Sequence, residues 1–183
     1  MSKRVLVPIA DGTEEIEAVT VIDVLRRAGA EVLVASVTDE EVVASRGVRL
    51  IADDLIENCV DEEYDLIVLP GGMPGADFLA ECDELIELLH RHRDAGKIYA
   101  AICAAPAIVL EHHGLLENCR ATAHPNYSSK LGNQEAVDCR VVIDGNCVTS
   151  RGPGTAMEFA LTLVELLYGP EKRAQVAGPM LAS

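Results

Sequence analysis

The run Lys97-Ile-Tyr-Ala-Ala-Ile-Cys103-Ala-Ala-Pro-Ala-Ile-Val-Leu110 carries a cysteine where an apolar strand passes into a helix. A side chain on such an elbow is lifted out of a sharp turn beside the free N–H groups of the helix's first turn, a position suited to a nucleophile. The backbones crowd two positions to either side, and small residues stand there, Ala101 and Ala105. Pro106 fits the first helical turn, where its missing N–H costs nothing. The helix N-terminus favours an anion, so Cys103 is expected to have a depressed pKa and to be ionised near neutrality.

Nucleophilic chemistry also needs a group that moves protons. Glu14, Glu15 and Glu17 stand at the start of the first helical pattern. Glu17 falls on one stripe with Val21, Val24 and Ala28, within the apolar face that Ala18, Ile22 and Leu25 complete, so it points toward the sheet. Glu15 lies at the margin of that face, and Glu14 on the first turn is expected to be exposed. A carboxyl carried into apolar surroundings is costly when charged, so Glu17 is expected to be protonated and to hydrogen-bond the sulfur of Cys103. Among the histidines, His124 sits in Ala-Thr-Ala-His-Pro-Asn-Tyr, where the proline keeps it out of helical geometry and leaves it a candidate for proton transfer. His90 and His92, beside Arg91 and Arg93, read as the solvated end of a helix. His112 and His113 suit a helix C-terminus and do not share a face, which argues against a metal site.

Positioning these residues falls to an alternation of short apolar runs and helical patterns, the signature of a mainly parallel sheet covered on both faces. Strands are expected at 4–9, 31–37, 65–69 and 98–102, with a small hairpin or a pair of short edge strands at 42–51 and a hairpin at 138–150 turned at Asp144-Gly145-Asn146. Helices are expected at 14–28, 76–94, 104–112 and 155–168, with a short one from Pro170. The whole, 1–183, reads as a single α/β domain, a flavodoxin-like three-layer sandwich with a nucleophile elbow. Ligands of such sheets bind at the carboxyl ends of the strands, where the segments 10–17, 70–75 and Cys103 converge. Gly71 and Gly72 do not belong to a phosphate-loop motif; they let the backbone approach the nucleophile and aim an N–H at it.

The chain has 183 residues, with 30 acidic against 15 basic side chains and a formal charge of −15, which repels phosphate backbones and anionic lipid and excludes dedicated nucleic-acid binding. No run reaches membrane-spanning length and no secretory leader is evident, so a cytoplasmic location is expected. Six cysteines without a Cys-x-x-Cys pair indicate reduced thiols rather than zinc or disulfides.

Taken together, Asp11-Gly-Thr-Glu-Glu-Ile-Glu17, Leu69-Pro-Gly-Gly72, Ala100-Ala-Ile-Cys-Ala104, His124-Pro125 and Thr149-Ser-Arg-Gly-Pro-Gly-Thr155 resemble the ThiJ/PfpI superfamily, in particular its branch of parkinsonism-associated deglycases and their bacterial relatives. The resemblance implies that Cys103 is an oxidation-sensitive nucleophile, Glu17 its hydrogen-bonded acid and His124 the nearby histidine. It also implies that the N–H groups of Gly72 and Ala104 form an oxyanion hole, and that Gly71 and Arg46 lie near the site or the interface of a homodimer. Protease-like and heat-shock branches carry histidine directly after the elbow cysteine; Ala104 stands here, which weakens a peptidase reading. The activities implied need neither metal nor organic cofactor: conversion of α-oxoaldehydes to hydroxy acids and deglycation of proteins and nucleotides. Redox sensing through a sulfinate and chaperone-like protection against oxidative stress are the alternatives.

Overall fold

The computed structural model describes residues 2–182. Seven strands form one sheet in the order β5-β2-β1-β6-β7-β9-β8. They are β1 (Arg4–Ile9), β2 (Glu31–Ser36), β5 (Asp54–Leu55), β6 (Leu66–Leu69), β7 (Ile98–Ile102), β8 (Val141–Asp144) and β9 (Cys147–Ser150). All neighbours are parallel except β8 and β9, which form the expected hairpin. A separate antiparallel hairpin pairs β3 (Glu41–Val43) with β4 (Arg49–Ile51).

Strand alternation sends successive side chains to opposite faces, and each face meets its own core. Val5, Val7, Ile9, Val68 and Ile102 pack against α1 (Glu15–Arg27) and α4 (Ala156–Tyr168), with α5 (Pro170–Ala177) beside them. Leu6, Ile67, Leu69, Tyr99 and Ala101 pack against α2 (Gly75–Glu81), α3 (Asp83–Asp94) and the helix that follows the elbow. The result is the three-layer flavodoxin-like sandwich expected from the apolar runs. Chain order reverses at β1, whose neighbours are β2 on one side and β6 on the other, so a crevice opens at the carboxyl ends of β1 and β6.

Several expectations need correction. The helix expected at 76–94 is two helices, broken at Cys82, whose φ of −87° and ψ of 98° are extended. The acidic pair Asp83 and Glu84 then opens α3, where negative charge suits the new N-terminus. Past the elbow, Pro106–Glu111 is a wide π-helical segment, with Leu115 N–H reaching back to Leu110 C=O at 2.8 Å. His92 is not on a solvated face. It is 5% exposed and its Nε2 meets the carbonyl of Ile98 at 2.8 Å, so burial holds its pKa below the usual imidazole value. The two-residue strand β5 has no counterpart among the expected strands.

Candidate active site

Cys103 follows β7 with a φ of 67°, a left-handed conformation that costs a non-glycine residue about 1–3 kcal/mol unless its surroundings impose it. They do so through the backbone. The Cys103 N–H donates to Ser150 C=O at 3.0 Å, and its C=O accepts from the His124 N–H at 2.8 Å. Ser150 is fixed in turn by its hydroxyl, 2.7 Å from that of Thr155 and 2.7 Å from Arg140 C=O. The 149–155 segment therefore holds the elbow in its strained shape.

The glycine pair after β6 brings the acid to the thiol. Gly71 donates its N–H to Glu17 Oε2 at 2.8 Å, and its C=O accepts from the Glu14 N–H at 2.9 Å. A Cβ at Gly71 would stand 2.6 Å from Cys103 Cβ and 2.9 Å from Glu17 Oε2, so only glycine fits between nucleophile and acid. Gly72, with a φ of 91°, turns the loop so that its N–H faces the sulfur, and the Ala104 N–H does the same from the elbow. Glu17 is fully buried; its Oε1 has no nitrogen or oxygen partner, and the Cys103 thiol is the polar group beside it.

Burial lifts the Glu17 carboxyl to about 7, against the hydrogen bonds of Gly71 and Cys103. Burial and the adjacent Glu17 charge also push the Cys103 thiol up, to about 12, and the Gly72 and Ala104 N–H groups offset this only in part. The expected low-pKa thiolate is thus corrected. The helix end does favour the anion, but desolvation of a residue 8% exposed and facing a carboxylate outweighs it. Each charge opposes the other, so the pair releases one proton near neutrality and holds the second far above it.

The other two glutamates are also buried, contrary to the exposure expected at Glu14. Glu14 caps α1, its carboxylate accepting from the Glu17 N–H at 2.9 Å, and the residue is 9% exposed. Glu15 accepts from the Ser45 hydroxyl and the Arg46 N–H, both at 2.9 Å, which ties the β3–β4 turn to the helix. Helical spacing could not reveal either burial, because loops and the hairpin close over the first turn of α1.

A pocket of about 280 Å³ opens over the sulfur, with Glu14, Arg46, Gly72, Ala104, His124 and Tyr127 among its walls. His124 is half-buried and its Nδ1 accepts from the Asn126 N–H at 3.2 Å, which leaves the proton of the neutral ring on Nε2. Arg46 lines the rim and is exposed. The structure thus brings together Cys103, Glu17, His124, Gly71, Gly72, Ala104 and Arg46. Sequence reasoning missed Tyr127 and Asn126, which the loop carries in along with His124. A larger hollow of about 390 Å³ lies between α2 and the elbow helix, with Asp77, Glu81, Glu111, His112 and Lys130 but no cysteine among its walls. Among the described residues, no group of three or more His, Cys, Asp or Glu side chains is arranged to hold a metal, and no helix is long and apolar enough to cross a membrane.

Known proteins share both the sequence and the fold. Protein DJ-1 homolog B of Arabidopsis thaliana is 53% identical over 175 residues, 95% of this chain but 40% of that protein; the chain spans less than half the length of the plant relatives it matches. The glutathione-independent glyoxalase DJR-1.2 of Caenorhabditis elegans is 40% identical over 181 residues, 98% of this chain and 95% of the relative. The solved structure of oxidized DJ-1 from Toxoplasma gondii superposes with a TM-score of 0.97 at 48% identity, covering 100% of both chains. With the model of the DJ-1/PfpI family matching residues 3–166 as well, the chain belongs to the DJ-1/PfpI family.

Proposed function

We propose that the chain is a cofactor-independent glyoxalase that converts α-oxoaldehydes to 2-hydroxy acids through Cys103, and that it acts as a deglycase on the adducts these aldehydes form with proteins and nucleotides. One observation carries this reading: a strained cysteine flanked by a buried carboxyl on one side and two main-chain N–H donors on the other. The glyoxalase name of the nematode relative supports it.

In the proposed reaction the Cys103 sulfur adds to the aldehyde carbon as its proton passes to Glu17, and the developing oxyanion is held by the Gly72 and Ala104 N–H groups. Removal of the hydrogen on that carbon gives an enediolate, and protonation of the neighbouring carbon gives the thioester of the 2-hydroxy acid. The aldehyde carbon is oxidised and the ketone carbon reduced, so no external oxidant is needed. Water then opens the thioester, restoring the thiol. His124 and Glu17 share the proton transfers. The reactive form is the pair carrying one proton in either arrangement, so kcat/KM rises as pH passes upward through about 7.

A second reading has its own support, because the Toxoplasma gondii relative was solved as an oxidized protein. Two peroxide molecules would take the thiolate to sulfinate, each giving up one oxygen and leaving as water, and protonated Glu17 could donate its proton to the sulfinate as a hydrogen bond. That is a redox sensor at the same site, and it serves protection against oxidative stress. A homodimer suits both readings. Ile16, Val19, Val43, Val48 and Ile51 are exposed on α1 and the tethered hairpin next to Arg46, an apolar surface that a second copy would cover.

The test is turnover of methylglyoxal with excess chelator, with lactate as the product followed. Chelator-insensitive activity that is abolished in Cys103→Ala and strongly reduced in Glu17→Gln is expected. Absence of lactate from wild type, or full activity in Cys103→Ala, would overturn the enzyme reading, and peroxide-dependent behaviour requiring Cys103 would then favour the sensor.

A further inference from the structure

A second hollow, about 290 Å³, opens beside the thiol pocket and shares His124 and Pro153 with it. Arg140, Arg151, Gly152 and Thr155 contribute to its walls. Two arginines thus line the hollow that adjoins the thiol pocket, in a chain with twice as many acidic as basic residues.

The two are differently committed. Arg140 donates from Nε to Glu158 at 2.6 Å and from a terminal nitrogen to Gly154 C=O at 3.1 Å, so its charge is neutralised and its fork occupied. Arg151 is nearly free. Its terminal nitrogens lie 3.5 Å from Asp138 C=O and 3.7 Å from the Asp138 carboxylate, whose side chain is 96% exposed and well solvated. Its Nε is shielded from water and has no acceptor. Nε is closed off, so an oxyanion entering the hollow would be taken by the two terminal nitrogens, whose present contacts with the solvated Asp138 are long. The N-terminus of α4 begins just past the hollow at Ala156 and adds positive potential there.

We propose that Arg151 is a specificity-determining residue that takes the phosphate or carboxylate of an anionic α-oxoaldehyde while its aldehyde carbon is held at Cys103. The two hollows adjoin at His124 and Pro153, so the substrate would lie across that shared edge, with its reacting end over the sulfur and its anionic end at the guanidinium. This inference rests on the glyoxalase reading for its substrate class, whereas the anion site itself does not.

The experiment compares kcat/KM for neutral methylglyoxal, for the phosphate ester of hydroxypyruvaldehyde and for 4,5-dioxopentanoate, and separately titrates the intact protein with inorganic phosphate by calorimetry. Wild type is expected to prefer an anionic substrate by about tenfold or more, chiefly through KM, with the larger gain identifying phosphate or carboxylate as the group recognised. Arg151→Gln should lower the anionic-to-neutral ratio and the phosphate affinity by about tenfold each, with Arg151→Lys retaining part of both because it keeps the charge but not the fork. A ratio near one in wild type, or a ratio and phosphate affinity unchanged in folded Arg151→Gln, would overturn the proposal. If wild type turns over no aldehyde, the glyoxalase reading fails by itself, and the phosphate titration decides the anion site: binding that depends on Arg151 upholds it, and its absence refutes it.

Discussion

Replacing Glu17 with glutamine should change how the stability of this protein depends on pH. The carboxyl is fully buried, and burial raises its pKa from 4.5 to about 7. A rise of that size makes ionisation about 3 kcal/mol costlier in the folded chain than in the unfolded one. The sign follows from proton counts. Between pH 4.5 and about 7 the unfolded chain has released the Glu17 proton while the folded chain still holds it, so stability falls as pH rises through this window and levels off above it. Glutamine keeps an acceptor for the Gly71 N–H and cannot ionise. Urea unfolding of wild type and Glu17→Gln at closely spaced pH values from about 4 to about 8.5 isolates the effect, since the groups that do not touch Glu17 titrate alike in both proteins. The variant should gain about 3 kcal/mol on wild type across the window, most of it above about pH 5. A stability difference that stays flat across the window would refute the buried-acid reasoning, and one that shrinks as pH rises would reverse its sign.

Gly71→Ala inserts a methyl 2.6 Å from Cys103 Cβ and should cost about 1–3 kcal/mol in unfolding experiments while reducing methylglyoxal turnover more than about tenfold, because it pries acid and thiol apart; a variant as stable and active as wild type would show that the loop yields freely. Alkylation of Cys103 by iodoacetamide, followed peptide by peptide, should accelerate as pH rises through about 7, and Glu17→Gln should abolish that inflection. A rate that climbs only in strongly alkaline solution would mean that the thiol titrates alone. Light scattering should give about twice the chain mass of 19.6 kDa, with Ile16→Asp and Ile51→Asp shifting the protein toward a single chain; a monomer at micromolar wild type would refute the dimer.

The central sheet was legible because a strand buried on both faces has to be a continuous apolar run, as Val5 to Ile9 and Leu66 to Leu69 are. Helix breaks were less so. Apolar residues on both sides of Cys82 keep helical spacing, and the interruption shows only in the acidic residues that reopen the helix after it. The burial of His92, by contrast, is written in the spacing. It lies at i+7 from Leu85 and i+3 from Leu89, on the same buried stripe, and its arginine neighbours disguise that face.

The first turn of α1 shows where periodicity stops being informative. Within a helix, spacing decides which side chains face the sheet, and it correctly turned Glu17 inward. At the N-terminus, burial depends on what closes over the end, and here that is the Gly71–Gly72 loop and the β3–β4 turn. The three neighbouring carboxyls consequently meet three environments. Glu14 receives the Glu17 N–H as the helix cap. Glu15 would be raised by burial, but hydrogen bonds from its own N–H, the Ser45 hydroxyl and the Arg46 N–H outweigh that and hold it below the usual carboxylate range. Glu17 has a single main-chain donor against complete burial, and its pKa goes up instead. The difference between Glu15 and Glu17 is therefore how deeply each carboxyl is desolvated, set against the donors it receives. A donor added next to Glu17, or the loss of Gly71 N–H, would move it toward one behaviour or away from it without changing any residue of the proposed chemistry.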